Sequence, residues 1–374
     1  MTSVVGIPVL TATGIVDIFG HTSGAFTNTN VSVFVKSVDG YIYTTGVNAN
    51  GQLGLGNTTN VSVWTRITSL GTNISKVWVA GYNAPYNFAW DPVAGKLYAW
   101  GYNGYGTFGN GTVTSSTVPV DVTASWGVSA ANPPVDMQFG NDYYVTSGAA
   151  GTSCGLRRAD GVILTAGYNG WGQIGNNTRT QQTVAYPVWN GTLGTAVDYV
   201  VHGIGSEWVL TTAGDLWGWG YNGLNQMANG TATDVLIPTK IPLVSAANGF
   251  TAPYFLNRQG NSNTYGYYTT LFVGSAPGNP KYAILGQNDA SGYYGNGSTV
   301  QSATGAYGYC PSGEWFTTVG VLYGTTYGRC YVAATNKNNL YAWGYGGQSV
   351  LQIGSTNPQF TATQIRHPGL NYNT

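Results

Sequence analysis

The stretch WGYNGYGTFGNGT, residues 100–112, sets five glycines among a Trp, two Tyr, a Phe and two Asn. Glycine at that density does not suit a helix interior, where each costs about 1 kcal/mol relative to Ala. It suits a run of tight turns that need backbone conformations closed to other residues. The same order of residues returns along the chain. Related segments begin at Gly46 (GVNANGQLGLGNTT), Gly101 (GYNGYGTFGNGTVT), Gly167 (GYNGWGQIGNNTRT), Gly220 (GYNGLNQMANGTAT), Gly286 (GQNDASGYYGNGST) and Gly344 (GYGGQSVLQIGSTN). Their starts lie 53 to 66 residues apart, so six units of about 60 residues fill nearly all of the 374-residue chain. A period of this size is the signature of a repeat architecture.

Outward from each segment the pattern becomes that of strands. Hairpin-like sequences precede it: VFVKSVDGYIYTTG (33–46), GKLYAWG (95–101), ADGVILTAG (159–167), GDLWGWG (214–220) and NNLYAWG (338–344). Asp39-Gly40 and Asp160-Gly161 are dipeptides that favour a two-residue hairpin turn. Val33, Val35, Tyr41 and Tyr43 alternate around the first turn, and Leu97 and Ala99 alternate in another hairpin. A period of two marks strands. Polar Ser/Thr/Asn stretches follow each segment, in three repeats with a proline (Pro119, Pro187, Pro238), before a further strand such as KVWVAG (76–81) or VDYVVHG (197–203). Four strands per unit, six times over, describe an all-β propeller. The expectation is one domain over residues 1–374, a closed ring of six four-stranded blades sealed by pairing of the terminal segments. Seven blades are the alternative.

Composition narrows the function. Charged residues are 7% of the chain, 13 basic against 13 acidic, while aromatics reach 14% and glycines number 56. A disordered chain would be charged and poor in aromatics. A nucleic-acid binder would carry a basic footprint. No apolar run approaches the ~20 residues of a membrane-spanning helix. The stretch MTSVVGIPVLTATGIVDIFG has no Lys or Arg ahead of its apolar residues and does not read as a secretory signal. Cys154, Cys310 and Cys330 have no metal-ligand spacing and read as buried free thiols.

The phrase Trp-Gly-Tyr-Asn-Gly-x-Gly-x-x-Gly-x-Gly-Thr at 100–112, Gly-Gln-Leu-Gly-Leu-Gly at 51–56 and Gly-Gln-Ile-Gly at 172–175 resemble the repeat of the regulator of chromosome condensation family. The resemblance runs over roughly residues 10 to 365. It implies a closed β-propeller, usually of seven blades, that presents loops to macromolecules. The family's founding member is a nucleotide-exchange factor that touches chromatin through basic patches. Here the basic residues are scattered, with Arg157-Arg158 the only adjacent pair, so that activity does not carry over. Trp100, Trp219 and Trp343 hold equivalent repeat positions and read as blade packing.

Other motifs have plain readings. GYGTFG (104–109) and GWGQIG (170–175) match a dinucleotide fingerprint, but no helix follows and they recur with the repeat, so they read as structural turns. Glu207 and Glu314, the only two Glu, fall in different blades, one expected in a loop and one at a strand start, which opposes paired carboxylate catalysis. Asn-x-Ser/Thr sequons at Asn30, Asn57, Asn60, Asn73, Asn110, Asn190, Asn229 and Asn296 are put down to the abundance of Asn and Thr.

Loop aromatics supply the candidate site. Tyr143, Tyr144, Trp208, Tyr265, Tyr267, Tyr268 and Tyr323 fall in or beside the segments that vary most between repeats, where insertions such as RQGNSNTYGYYTT (258–270) lie. Tyr amid Ser, Gly and Asn is the chemistry of adaptable recognition surfaces. Packing between blades is the alternative role. The expected function is that of a non-enzymatic virion structural protein, a bacteriophage tail-fibre, baseplate or capsid-decoration module. It would meet other virion proteins or a host receptor or glycan, with no cofactor, no metal, no nucleic acid and no membrane insertion, and with oligomerisation possible. The expected location is the virion, assembled in the host cytoplasm. The alternatives are a secreted or cell-surface bacterial adhesin, and third a polysaccharide-active enzyme.

Overall fold

The computed structural model describes residues 14–20, 31–80, 84–140, 153–202, 205–257, 270–286, 292–323, 329–345 and 357–365. It contains six four-stranded antiparallel sheets, each built from four consecutive strands. The chain divides into two compact units, residues 1–195 and 196–374, with three sheets in each.

In the first unit, blade 1 comprises β1 (Ile15–Gly20), β2 (Ser32–Ser37), β3 (Ile42–Gly46) and β4 (Val61–Arg66). Blade 2 comprises β5 (Lys76–Ala80), β6 (Tyr86–Asp91), β7 (Lys96–Gly101) and β8 (Ser116–Asp121). A single helical turn, α1 (Thr123–Trp126), leads to blade 3, which comprises β9 (Pro134–Gly140), β10 (Ser153–Arg158), β11 (Ile163–Gly167) and β12 (Gln182–Trp189). In the second unit, blade 4 comprises β13 (Ala196–His202), β14 (Ser206–Thr211), β15 (Leu216–Gly220) and β16 (Val235–Lys240). Blade 5 comprises β17 (Tyr254–Phe255), β18 (Thr270–Gly274), β19 (Lys281–Gly286) and β20 (Ala306–Tyr309). Blade 6 comprises β21 (Phe316–Tyr323), β22 (Arg329–Thr335), β23 (Leu340–Gly344) and β24 (Gln359–Gln364). The hairpins expected at Asp39-Gly40 and Asp160-Gly161 join β2 to β3 and β10 to β11.

The second and third strands hold most of the buried residues of each blade, polar ones among them, because both their faces are largely covered. β6, β11, β14 and β18 are buried along their whole length. The fourth strands are half-exposed sheet edges, and three of them contain the prolines noted above: Pro119, Pro187 and Pro238. Proline lacks the N–H that an edge strand would offer to a neighbour.

Within each unit, neighbouring blades are stitched together by the glycine-rich segments. Gly56 N–H donates to Thr117 O at 2.9 Å, and Gly111 N–H to Thr183 O at 2.8 Å. In the second unit, Gly230 N–H donates to Ala303 O at 2.9 Å and Gly297 N–H to Phe360 O at 2.7 Å. Tryptophans complete the seams. Trp100, fully buried, donates its indole N–H to Gln52 O of the preceding blade at 2.8 Å, and Trp343 does the same to Tyr293 O at 3.0 Å. Trp219 is likewise fully buried. The rings of Trp100 and Trp343 thus remove a large apolar area from water while their polar N–H groups find acceptors.

Candidate functional site

In blades 1 to 4 the segment between the third and fourth strands is held from within by an asparagine that acts as a staple. Asn103 is fully buried. Its amide nitrogen donates to Thr112 O at 3.1 Å and Thr114 O at 3.2 Å, and its Oδ1 accepts from Phe108 N–H at 2.9 Å. Asn169 repeats the pattern with Thr178 O, Thr180 O and Ile174 N–H, and Asn222 with Thr231 O, Thr233 O and Met227 N–H. Asn48 does so in blade 1 with Asn57 O and Leu53 N–H. One side chain thus closes a loop of about ten residues from within, so the loop needs no packing from above.

That leaves the aromatics of the loop on its outside. The hydroxyl end of Tyr102 lies over Gly104: a Cβ added there would sit 2.2 Å from its hydroxyl oxygen. Tyr168 covers Gly170 in the same way. The aromatic-Asn-Gly order therefore has a steric cause, since only glycine leaves room for the ring. Tyr102, Tyr105, Tyr168 and Trp171 are all half-buried. Tyr102 and Tyr105 have ring centroids 6.0 Å apart at 57°, and Tyr105 meets Tyr168 of the next blade edge-on at 5.7 Å and 80°. Trp171 occupies in blade 3 the repeat position that Tyr105 occupies in blade 2. Arg179 donates to Gly170 O at 2.5 Å, which places a cation against the same loop. The result is an aromatic ridge across blades 2 and 3. In blade 1 the equivalent positions are Val47 and Asn50, so the ridge is a local feature of the repeat rather than a property of every blade.

The ridge lies at the blade end where the variable loops are anchored. Residues 141–152 join Gly140 to Ser153, and both Gly140 and Gly167, the start of the Tyr168 loop, pair with Ser153. Residues 81–85 bridge the corresponding strands of blade 2, where Tyr86 pairs with Gly101.

Of the aromatics singled out from sequence, Tyr143, Tyr144, Tyr265, Tyr267 and Tyr268 lie outside the described residues. Tyr323 is the last residue of β21 and pairs with Arg329, at the same blade end. Trp208 is not a loop residue. It sits within β14, pairs with Gly218 and is 0% exposed in the core of blade 4, because both faces of that strand are covered. The ridge residues belong to the repeated phrase itself and so read as scaffold in the sequence. Their signal was positional: aromatic residues placed between turn glycines, where no strand can bury both faces.

The two glutamates are also internal. Glu207 belongs to β14 rather than to a loop and is fully buried. The Tyr199 hydroxyl donates to its Oε2 at 2.6 Å, while Oε1 has no hydrogen-bond partner among the described residues. Burial pushes its carboxyl up to about 8, against the opposing pull of the Tyr199 hydrogen bond. Glu314 precedes β21 rather than beginning it, and accepts from Thr335 Oγ1 at 2.6 Å and Asn339 Nδ2 at 2.7 Å. These glutamates serve as buried hydrogen-bond acceptors. All three cysteines are free and buried. Among the described residues no three His, Cys, Asp or Glu gather as a metal site would require.

At four of the sequons named above, the asparagine has a shared structural role that composition does not convey. Asn57, Asn110, Asn229 and Asn296 stand at one repeat position, with Asn176 as a fifth. In each, Oδ1 accepts the backbone N–H two residues on, at 2.9 to 3.2 Å. This Asx turn starts the bend into the fourth strand.

Residues 39–82 and 94–153 match the regulator of chromosome condensation (RCC1) repeat. The ultraviolet-B receptor UVR8 of Arabidopsis thaliana is 26% identical over 210 residues, 55% of this chain and 42% of the receptor. The human E3 ubiquitin-protein ligase HERC2 is 24% identical over 212 residues, 56% of this chain and 4% of the ligase. The match thus spans less than half the length of either relative. Among solved structures, human WBSCR16 covers 95% of this chain and 83% of its own at 17% identity, with a TM-score of 0.60. Prp20p of Saccharomyces cerevisiae, described with its binding properties to Gsp1p and histones, covers 95% and 77% at 16% identity, with a TM-score of 0.59. These likenesses support RCC1-like repeats and a propeller-type arrangement of blades.

Proposed function

We propose that this chain is a non-catalytic binding module in which stitched RCC1-like blades display an aromatic loop face to a partner. The ridge Tyr102–Tyr105–Tyr168–Trp171 carries this reading: half-exposed rings on loops held from within, beside the anchors of the variable loops. The buried, hydrogen-bonded glutamates favour binding over catalysis. The reading includes closure of the six blades into a single ring, which a scattering profile of a compact disc would support and an elongated one would overturn.

The setting we propose is a virus particle, with the protein as a tail-fibre, baseplate or decoration component. Its support is compositional: 7% charged residues and 14% aromatics leave surfaces of Asn, Thr, Ser and Tyr suited to contact. Prp20p is described with its binding to the proteins Gsp1p and histones, and this chain, with 13 basic residues against 13 acidic, would bind its partner without a strongly charged surface. Immunogold labelling of particles from the native source is the test. Label on particles supports the reading, whereas a chain recovered only as a free cytosolic monomer overturns it.

A further inference from the structure

We infer that the aromatic ridge of blades 2 and 3 binds a neutral polysaccharide, its sugar rings stacking on Tyr102, Tyr105, Tyr168 and Trp171. The inference rests on the binding-module reading and names the class of ligand at its site. Four observations converge on it.

The ridge is aromatic, its own loop segments carry no charged residue, and a lone guanidinium, that of Arg179, is hydrogen-bonded to Gly170 O rather than forming a basic groove. Residues 101–112 and 167–178 contain no Asp, Glu, Lys or Arg, and Arg179 is the first charge beyond them. A phosphate backbone stacks bases on aromatics as well, but it needs a positive groove to track it. An uncharged chain needs none, and it loses no ionic hydration on docking. Charge matching therefore selects a neutral polymer over single-stranded nucleic acid.

The ridge also runs from one blade to the next through Tyr102, Tyr105 and Tyr168, with Trp171 at the repeat position of Tyr105. Consecutive centroids stand 6.0 and 5.7 Å apart across a blade boundary, so an extended chain would meet aromatic surface repeatedly along its length. The rings are steeply tilted to one another, at 57° and 80°. They present alternating faces and edges, which suits a puckered chain with axial C–H groups better than a flat protein surface. A protein partner of standard size would need ~800 Å² on each side and a buried anchor pocket.

Polar groups that would give fine specificity are already engaged. Both Asn103 and Asn169 spend their amides inside their own loops. Binding should be weak per site and tolerant of linkage.

Finally, the rings are held in place before any ligand arrives. The glycines beneath Tyr102 and Tyr168 and the asparagine staples fix them, so little side-chain entropy is lost on binding.

The test is native affinity electrophoresis of the full chain in gels containing soluble laminarin, hydroxyethyl cellulose or dextran. Heparin and oligo(dT) gels serve as charged comparators. The wild type is expected to be retarded in at least one neutral gel and in neither charged one. Tyr105→Ala with Trp171→Ala should weaken that retardation by about tenfold or more, each stacked ring being worth that order. Tyr105→Phe with Trp171→Phe, which keeps the rings, should restore most of it. Migration of the wild type unchanged in every neutral gel overturns the inference, as does equal retardation of the alanine variant or preferential retention by heparin or oligo(dT). If the glycan arm fails while the alanine variant also loses its place on particles, the binding-module reading stands and the ligand class alone is wrong. If glycan binds but no particle carries the protein, the inference stands and the virion setting falls.

Discussion

The indole N–H of Trp126 donates to the carbonyl oxygen of Phe108 at 2.8 Å, although Trp126 belongs to no strand. Blades 2 and 6 place a tryptophan at the end of their third strand, Trp100 and Trp343, to seal the seam with the preceding blade. Blade 3 has Ala166 there. The single turn α1 instead swings Trp126 over Gly109, where an added Cβ would lie 2.9 Å from the indole ring. The adjacent carbonyl, Thr107 O, accepts from the Cys154 thiol at 3.0 Å. The seam is the same, but its parts come from different places in the sequence.

Trp126→Ala should therefore cost as much stability as Trp100→Ala, about 3–5 kcal/mol, although one lies in a connector and the other in a strand. Trp126→Phe keeps most of the ring and loses the donor, for about 1–2 kcal/mol. Urea unfolding of the three variants checks the order, and a Trp126→Ala cost below about 1 kcal/mol would contradict the role of the seam.

Asn103→Ala strips the loop of its staple and leaves one buried donor and two acceptors unmatched. The expected loss is about 2–4 kcal/mol, since an unsatisfied buried group costs about 1–3 kcal/mol. Asn190→Ala removes only an exposed Asx turn to Thr192 and should change stability by a few tenths of a kcal/mol. Thermal melts of both variants distinguish an internal staple from an ordinary surface turn.

Glu207 gives the protein a pH dependence of definite sign. Its folded carboxyl titrates at about 8, above the ordinary value of 4.5. Between those two values the unfolded chain has released the proton and the folded chain keeps it, so this group makes stability fall as pH rises from about 4.5 to 8. Its contribution is level below and above that window, and amounts to a few kcal/mol. Glu207→Gln keeps the neutral shape and should flatten the slope. Urea midpoints at pH 5 and pH 8 test it, and an unaltered slope in the variant would assign the dependence elsewhere.

The thiols should be silent. Burial raises Cys310 to about 12 and Cys330 to about 11, and Cys154 is 1% exposed. Thiolate is the reactive form. A chromogenic disulfide reagent at pH 8 should titrate none of the three in native buffer and all three in denaturant. Rapid native labelling of even one would contradict its burial.

The blade plan was legible in the sequence because it is repeated. Glycine position and strand alternation in VFVKSVDGYIYTTG and KLYAWG mark the β2–β3 hairpin and strand β7, which pairs with β6. Trp100, Trp219 and Trp343 were read correctly as packing. What could not be read was anything that breaks the repeat or depends on which face a residue meets. Trp208 stands beside Glu207 in a strand buried on both sides, so the sequence offers no alternation to separate it from a loop aromatic. Trp126 fills a gap left by Ala166 some forty residues later, a compensation invisible to local pattern. The ridge was hidden for the opposite reason: its residues are so regular that they pass for framework, and only their half-exposure separates Tyr105 from Trp100.

The prolines at 119, 187 and 238 have a consequence for how such a chain stays dispersed. Sheet edges are commonly guarded by lysines, whose charge and hydration repel a second edge. A protein with thirteen basic residues balanced by thirteen acidic ones has few to deploy. Here the guard is covalent instead of electrostatic: three edge strands each lack one amide hydrogen, so a foreign strand cannot complete its ladder against them. Such protection is indifferent to salt and pH. It would persist where many copies crowd together and ionic screening has switched repulsion off.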